Sequence, residues 1–245
     1  IRHGNTLNKP LSSLDIDDMV DVVVSNPPFG GTEEDGIEKN FPSEYQTRET
    51  ADLFLQYIIE VLNEKGRAAV VLPDGTLFGE GVKTKIKKLL LDECNLHTLV
   101  RLPNSVFAPY TSIKTNILFF EKGQPTKDIW YYEVPLPTGI KAFNKTKPMK
   151  LDDFAACADW WGEGKTIKEK TQRNKRQENE SAWRVSIDDI IARNYNLDIK
   201  NPHVGEIISH DPEELLADYA EQQKGIQSLR DQLKGILSDA LAGEK

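Results

Sequence analysis

The stretch Met19–Gly31, reading MVDVVVSNPPFGG, limits what this chain can fold into more than any other. Val20, Val22, Val23 and Val24 make a short β-branched run, which predicts a strand buried on both faces of a parallel sheet. Asn26-Pro27-Pro28-Phe29 cannot extend that strand, because two successive prolines remove two backbone donors and fix φ; Gly30-Gly31 frees the chain just beyond. The expected result is a rigid, extended loop at the carboxyl end of a buried strand, where open α/β sheets place their ligands.

Such a loop holds an amide side chain, a peptide carbonyl and an aromatic ring in nearly fixed relation. The set suits a planar ring carrying an exocyclic amine: the Asn26 side-chain oxygen and the Pro27 carbonyl each accept one N–H, and Phe29 stacks on the ring. Accepting both hydrogens draws the nitrogen lone pair out of conjugation and makes it nucleophilic, with no charged base. An isolated Pro-Pro would signify only a strand exit. The whole string behind a valine run is more specific.

Ser25-Asn26-Pro27-Pro28-Phe29-Gly30 resembles the catalytic motif of the amino-group DNA methyltransferases, which move a methyl group from S-adenosylmethionine to the exocyclic amine of adenine. The resemblance implies that Asn26, Pro27, Pro28 and Phe29 form the catalytic loop, with Phe29 stacking on a base flipped out of the duplex. Phe29 stands where many members have tyrosine, so stacking is kept and a hydroxyl contact is not. Near the start, Gly4-Asn5-Thr6-Leu7 resembles the strand end at which relatives carry an acid that contacts the cofactor adenine. Asn5 replaces that acid and is a weak cofactor-binding candidate. No Gly-x-Gly loop follows an acidic or aromatic residue at a strand end, and Gly79-Glu80-Gly81 reads as a loop before a helix. The main cofactor loop is therefore expected to be missing, with the chain starting about one third of the way into the domain.

With 245 residues and 38% hydrophobic content, the chain can build one sizeable core with appendages. It begins with Ile1, which suggests processing or a piece of something longer. No run approaches the ~20 apolar residues of a membrane span and no secretory leader is seen, so a soluble, cytoplasmic protein is expected. Cys94 and Cys157 have no metal-ligand spacing and read as reduced structural thiols, and His3, His97, His203 and His210 are scattered, so no metal site is assigned. A net charge of −8 is awkward for unaided DNA binding through phosphates, so a partner is expected to supply most of the grip. One basic run, Lys165 to Arg176, is either a solvated linker or a phosphate-contacting arm.

After the loop, 33–48 reads as a polar, turn-rich and mobile segment beside the site. Thr50 is expected to cap a helix running to about Glu64 and stopped by Lys65-Gly66. Further elements are a strand at Ala68–Leu72, a basic amphipathic helix at Gly81–Glu93, and strands at Leu96–Leu102, Thr115–Glu121 and Ile129–Val134. This order fits an α/β fold, the second half of a Rossmann-like S-adenosylmethionine-dependent methyltransferase sheet, with a mainly helical carboxyl-terminal region. In the connection Pro103–Lys114, Phe107 occupies the place where the resembling family sets a second ring against the flipped base; core packing is an equal alternative. Trp160 and Trp161 read as packing residues, and Ala182–Pro202 as a helix and turn.

Three stretches, VLPDGTLFG at 71–79, TNILFFEKG at 115–123 and AWRVSIDDIIARNYNLDI at 182–199, narrow the resemblance to modification subunits of type I restriction-modification systems. The implied activity is adenine-N6 methylation of DNA, with sequence read by a specificity subunit and with a restriction subunit and a second modification subunit as further partners. The expected division is a partial catalytic domain at 1–123, an extension at 124–204 holding the basic linker 165–176, and a helical, coiled-coil-like tail at 205–245. Asp211, Pro212 and Glu214 form a helix start, and Leu215, Tyr219, Gln222, Ile226, Leu229, Leu233, Ile236 and Ala240 a heptad seam, weakened by Gly225 and Gly235. A fragment lacking the cofactor loop is expected to be inactive alone. A methyltransferase acting on glutamine amides, which uses a similar loop, and a catalytically silent assembly module are the rival readings.

Overall fold

The computed structural model describes residues 3–162 and 176–203, and part of 219–234. Two compact units divide the chain, Ile1–His203 and Val204–Lys245. The first is built on a six-stranded mixed sheet of β1 (Val20–Ser25), β2 (Leu62–Pro73), β3 (Cys94–Arg101), β4 (Thr115–Lys122), β5 (Asp128–Glu133) and β6 (Ala182–Ser186). Their order is β1-β2-β4-β3-β5-β6. β1 runs parallel to β2, and β3 parallel to β5, while β4 runs antiparallel to both of its neighbours.

Helices α1 (Thr50–Val61), α2 (Asp74–Phe78), α3 (Val82–Glu93), α4 (Ala155–Trp161) and α5 (Ile187–Ala192) complete the unit. Alternation along the strands sorts the core into two layers. On one face Leu55 and Ile59 of α1 and Ile86 and Leu90 of α3 pack on Val70, Leu72, Leu118 and Phe120. On the other, Cys157 and Trp161 of α4 pack with Val100 and Tyr132.

The strand at Val20–Ser25 is present, but it is not buried on both faces. Val20, Val22 and Val24 are 38%, 51% and 83% exposed, and Val23 alone of the run packs against the main core. β1 lies at the end of the sheet order, with β2 as its one neighbour. Composition specifies a surface fit for burial, not the element that buries it.

The first helix also starts differently from expectation. Glu49, not Thr50, is its N-cap and makes no side-chain cap; Thr50 is buried and its N–H donates to the Gly31 carbonyl at 3.0 Å. The helix ends at Val61 because the chain enters β2 at once, and Lys65 takes a positive φ of 67° within that strand. The polar segment 33–48 forms two short 3₁₀ turns, and Ile37 of the first and Phe41 just after it are buried against Leu7 and Leu53.

Residues 182–186, expected in a helix and turn, form strand β6 instead. Trp183 and Val185 share one face, separated by the exposed Arg184, a pattern that suits pairing with β5, where Trp183 stacks on Tyr131 at 5.3 Å and 12°. The following NYNLDI stretch is tied to the body by Tyr131 Oη donating to the Leu197 carbonyl (3.0 Å) and by Arg101 bonding the Ile199 carbonyl and Asp198, both at 2.7 Å.

In the second unit, Tyr219, Ile226, Leu229 and Leu233 are helical and 43–65% exposed. The helix start at 211–214 and the rest of the seam lie outside the described residues, as does most of the basic run. No helix among the described residues is long and apolar enough to cross a membrane.

Candidate active site

Because β1, β2, β3 and β5 are mutually aligned and β4 opposes them, the carboxyl ends of four strands and the start of β4 meet at one end of the sheet. The Asn-Pro-Pro-Phe loop leaves β1 there. Asn26 is exposed and its side chain makes no hydrogen bond to any described residue, Pro27 is buried, Pro28 is exposed and Phe29 is half-buried. Proline fixes the backbone on either side of the Pro27 carbonyl, so that carbonyl is set without help from side chains, whereas the exposed Asn26 amide can turn about its own side-chain bonds.

The 103–114 connection folds over this loop. Phe107 meets Phe29 edge-on, with ring centroids 5.0 Å apart and planes at 63°. One residue on, a Cβ at Gly30 would lie 3.5 Å from Ile113 Cδ1, and Gly30 itself has φ +69°. The two aromatic residues singled out in the sequence are thus brought together. With centroids 5.0 Å apart the rings leave no room between them for a third planar ring, which would need two layers of ~3.5 Å.

Downstream, the loop is stitched to the start of α1. Besides the Thr50–Gly31 bond, the Glu33 N–H donates to the Arg48 carbonyl (2.8 Å) and Thr32 bridges Glu49. Asp74, at the end of β2, takes the place corresponding to Asn26 at the end of β1. It accepts from Asn116 Nδ2 at 2.6 Å, and its N–H donates to the Lys114 carbonyl. Sequence reasoning did not single out that pair, although a polar residue directly after a buried strand was the available signal.

Asn5 is occupied locally: its Oδ1 accepts from the Leu7 N–H (3.0 Å) and its Nδ2 donates to Glu33 (3.1 Å). Both thiols are free and buried, and burial pushes Cys94 up to about 12 and Cys157 up to about 11. Such thiols are packing groups, not nucleophiles. Among the described residues, no three His, Cys, Asp or Glu side chains gather in a way that could hold a metal ion.

Arg176, the last residue of the basic run, is neither solvated nor available to phosphate. It is 8% exposed, with its guanidinium 5.0 and 4.4 Å from the ring centroids of Trp160 and Trp161 and bonded to Thr98 Oγ1 at 2.7 Å. A weakly hydrated planar cation is well suited to such an aromatic seat.

The family profile described as N-6 DNA Methylase matches residues 1–211. The methylase subunit of the type I restriction enzyme EcoEI from Escherichia coli is 71% identical over the whole chain, which covers 49% of that protein. A modification subunit from Vibrio vulnificus YJ016, attributed to a type I restriction enzyme, superposes with a TM-score of 0.75 at 45% identity, covering 84% of this chain and 43% of its own. A chain from a type I R-M system, solved in a study of complex assembly and conformational transition, gives 0.73 at 37% identity, covering 100% of this chain and 49% of that one. This chain spans about half the length of these relatives.

Proposed function

The chain belongs to the N-6 DNA methylase family, and from that premise we propose that it carries the catalytic loop of a type I DNA adenine methyltransferase subunit. Asn26 and the Pro27 carbonyl hold the two N–H groups of a flipped adenine, Pro28 fixes the exit of the loop, and Phe29 stacks on the ring. Phe107 moves aside and returns against the other face. The observation that carries this reading is the exposed, unbonded Asn26 amide beside the buried Pro27, at the strand end where Phe29 and Phe107 meet.

S-adenosylmethionine supplies the methyl group. The residues present fit it poorly: the Asn5 amide is engaged by Leu7 and Glu33, and no glycine loop of the expected kind follows a strand. We therefore assign cofactor binding to parts of the subunit beyond this stretch and expect little activity from the stretch alone. Sequence reading falls to a specificity subunit, in keeping with the net charge of −8, and a restriction subunit and second modification subunit complete the assembly.

The test is transfer of labelled methyl to DNA by the full-length subunit with its companion, beside Asn26→Ala. Removing one preorganised acceptor should lower kcat by about 10²–10³. Label on the adenine amine that disappears in an assembled variant supports the reading. No transfer by a wild-type assembly that binds cofactor overturns it.

A further inference from the structure

We infer that Lys83 is a positioning residue for the Asn-Pro-Pro-Phe loop, acting through the amino end of α1, and that the 74–79 stretch is shaped to seat it. The catalytic half of this inference rests on the methyltransferase reading; the structural half does not.

Lys83 Nζ lies 2.5 Å from Glu49 Oε2 and 2.8 Å from Asp52 Oδ2. Asp52 is fully buried, and its other oxygen accepts from Thr76 Oγ1 at 3.0 Å. One lysine of α3 therefore joins the N-cap and first turn of α1, while Thr76 adds α2. The stem of Lys83 passes so close to Gly79 that a Cβ there would stand 2.0 Å from its Cδ. One turn further along α3, Lys87 Nζ donates to the Leu77 and Gly79 carbonyls, both at 2.8 Å, and holds the same connection. Thr76 and Gly79 thereby acquire a shared reason to be what they are.

The route to the loop is short. Thr50, Glu49 and Arg48 are the residues to which Gly31, Thr32 and Glu33 are bonded, and they flank the acids that Lys83 grips. Glycines at 30 and 31 give the loop no stiffness of its own at that end. Without Lys83, Asp52 becomes an uncompensated buried charge and the first turn of α1 loses its anchor. Catalytic groups tolerate misplacements of only ~0.5 Å, so slack there reaches Phe29 and Asn26.

The experiment uses the full-length subunit with its companion and compares wild type, Lys83→Met and Lys83→Arg. Hydrogen exchange is read at the Glu33 and Thr50 amides, and kcat and KM for DNA in parallel. In Lys83→Met, exchange at those two amides should rise about tenfold while β2 and β4 stay protected, and kcat should fall about tenfold with KM little changed. Arginine should restore most of both. Unchanged exchange at Glu33 and Thr50 overturns the inference, as does a uniform loss of protection that arginine does not rescue. Altered exchange with no methyl transfer by the wild type leaves the clamp standing and removes the catalytic reading. Should Lys83→Met fail to fold, Glu49→Gln, which touches only the exposed partner, should move the same two amides less far in the same direction; no movement overturns the inference.

Discussion

A single methyl group placed on Gly79 tests the packing on which this cluster depends. Gly79 has φ −58°, so alanine meets no backbone strain and the cost of Gly79→Ala is steric. Its Cβ would lie 2.0 Å from Lys83 Cδ and 2.7 Å from the Gly75 carbonyl. Either Lys83 leaves its seat or the end of α2 opens. Overpacking of this kind costs ~1–3 kcal/mol. Expelling Lys83 adds the cost of stranding a buried carboxylate, up to ~3–5 kcal/mol, less whatever Asp52 recovers by taking a proton. Burial already raises its pKa against the opposing pull of Lys83 and Thr76, so that escape is open. The expected destabilisation is about 3 kcal/mol, read by urea unfolding of the full-length chain. Most of the steric part should depend on the lysine stem, so a cycle with Lys83→Ala should show a coupling of ~1–2 kcal/mol. Additive effects, or a Gly79→Ala cost below ~0.5 kcal/mol, would refute the argument.

Trp183→Ala should cost ~3–5 kcal/mol in the same assay, since the ring is 2% exposed and stacked on Tyr131; a loss under ~1 kcal/mol would mean that β6 is not part of the core. Burial lowers Lys87 to about 8 from the 10.5 of the unfolded chain, so the unfolded state holds that proton more tightly between these values and stability rises with pH across them. The unfolding free energy of wild type relative to Lys87→Met should therefore grow between pH 8 and 10.5 by up to ~3 kcal/mol, and a flat difference would dismiss the assignment. Val24→Lys, at the 83% exposed position of the edge strand, should reduce concentration-dependent self-association of the 245-residue chain in sedimentation. Equal association by both forms would place the contact elsewhere.

What the sequence made legible was local. The strand ends, the loop and the apolar helix faces follow from spacing and from proline and glycine, and Phe107 was placed near Phe29 through a family resemblance. The basic neighbours of Arg176 suggest a solvated linker or a phosphate-contacting arm, whereas its seat comes from Thr98, Trp160 and Trp161 on other elements. Asp52, Thr76 and Lys83 each look like ordinary surface polar residues until three helices converge on them. The error at Ala182–Ser186 has the same root: an aromatic and β-branched segment becomes a strand because β5 offers a partner, and no local signal reports the partner.

The two ends of the Asn-Pro-Pro-Phe loop are therefore held by unlike means. Upstream, Ser25 is in ladder register with Val70, and Pro27 and Pro28 fix the backbone by covalent structure alone, so the Pro27 carbonyl and the backbone at Asn26 are set by the loop's own sequence. Downstream, Gly30 adopts φ +69° and Gly31 lies against Thr50, so direction there is imposed from outside, by α1 and through it by α3. Phe29 sits at the junction, with Phe107 on its far side. A loop built this way can keep the Pro27 carbonyl fixed while the Phe29 ring adjusts. For the base-holding role proposed above, that division is the useful one: the carbonyl stays in place while the rings, now 5.0 Å apart, part to admit a planar ring.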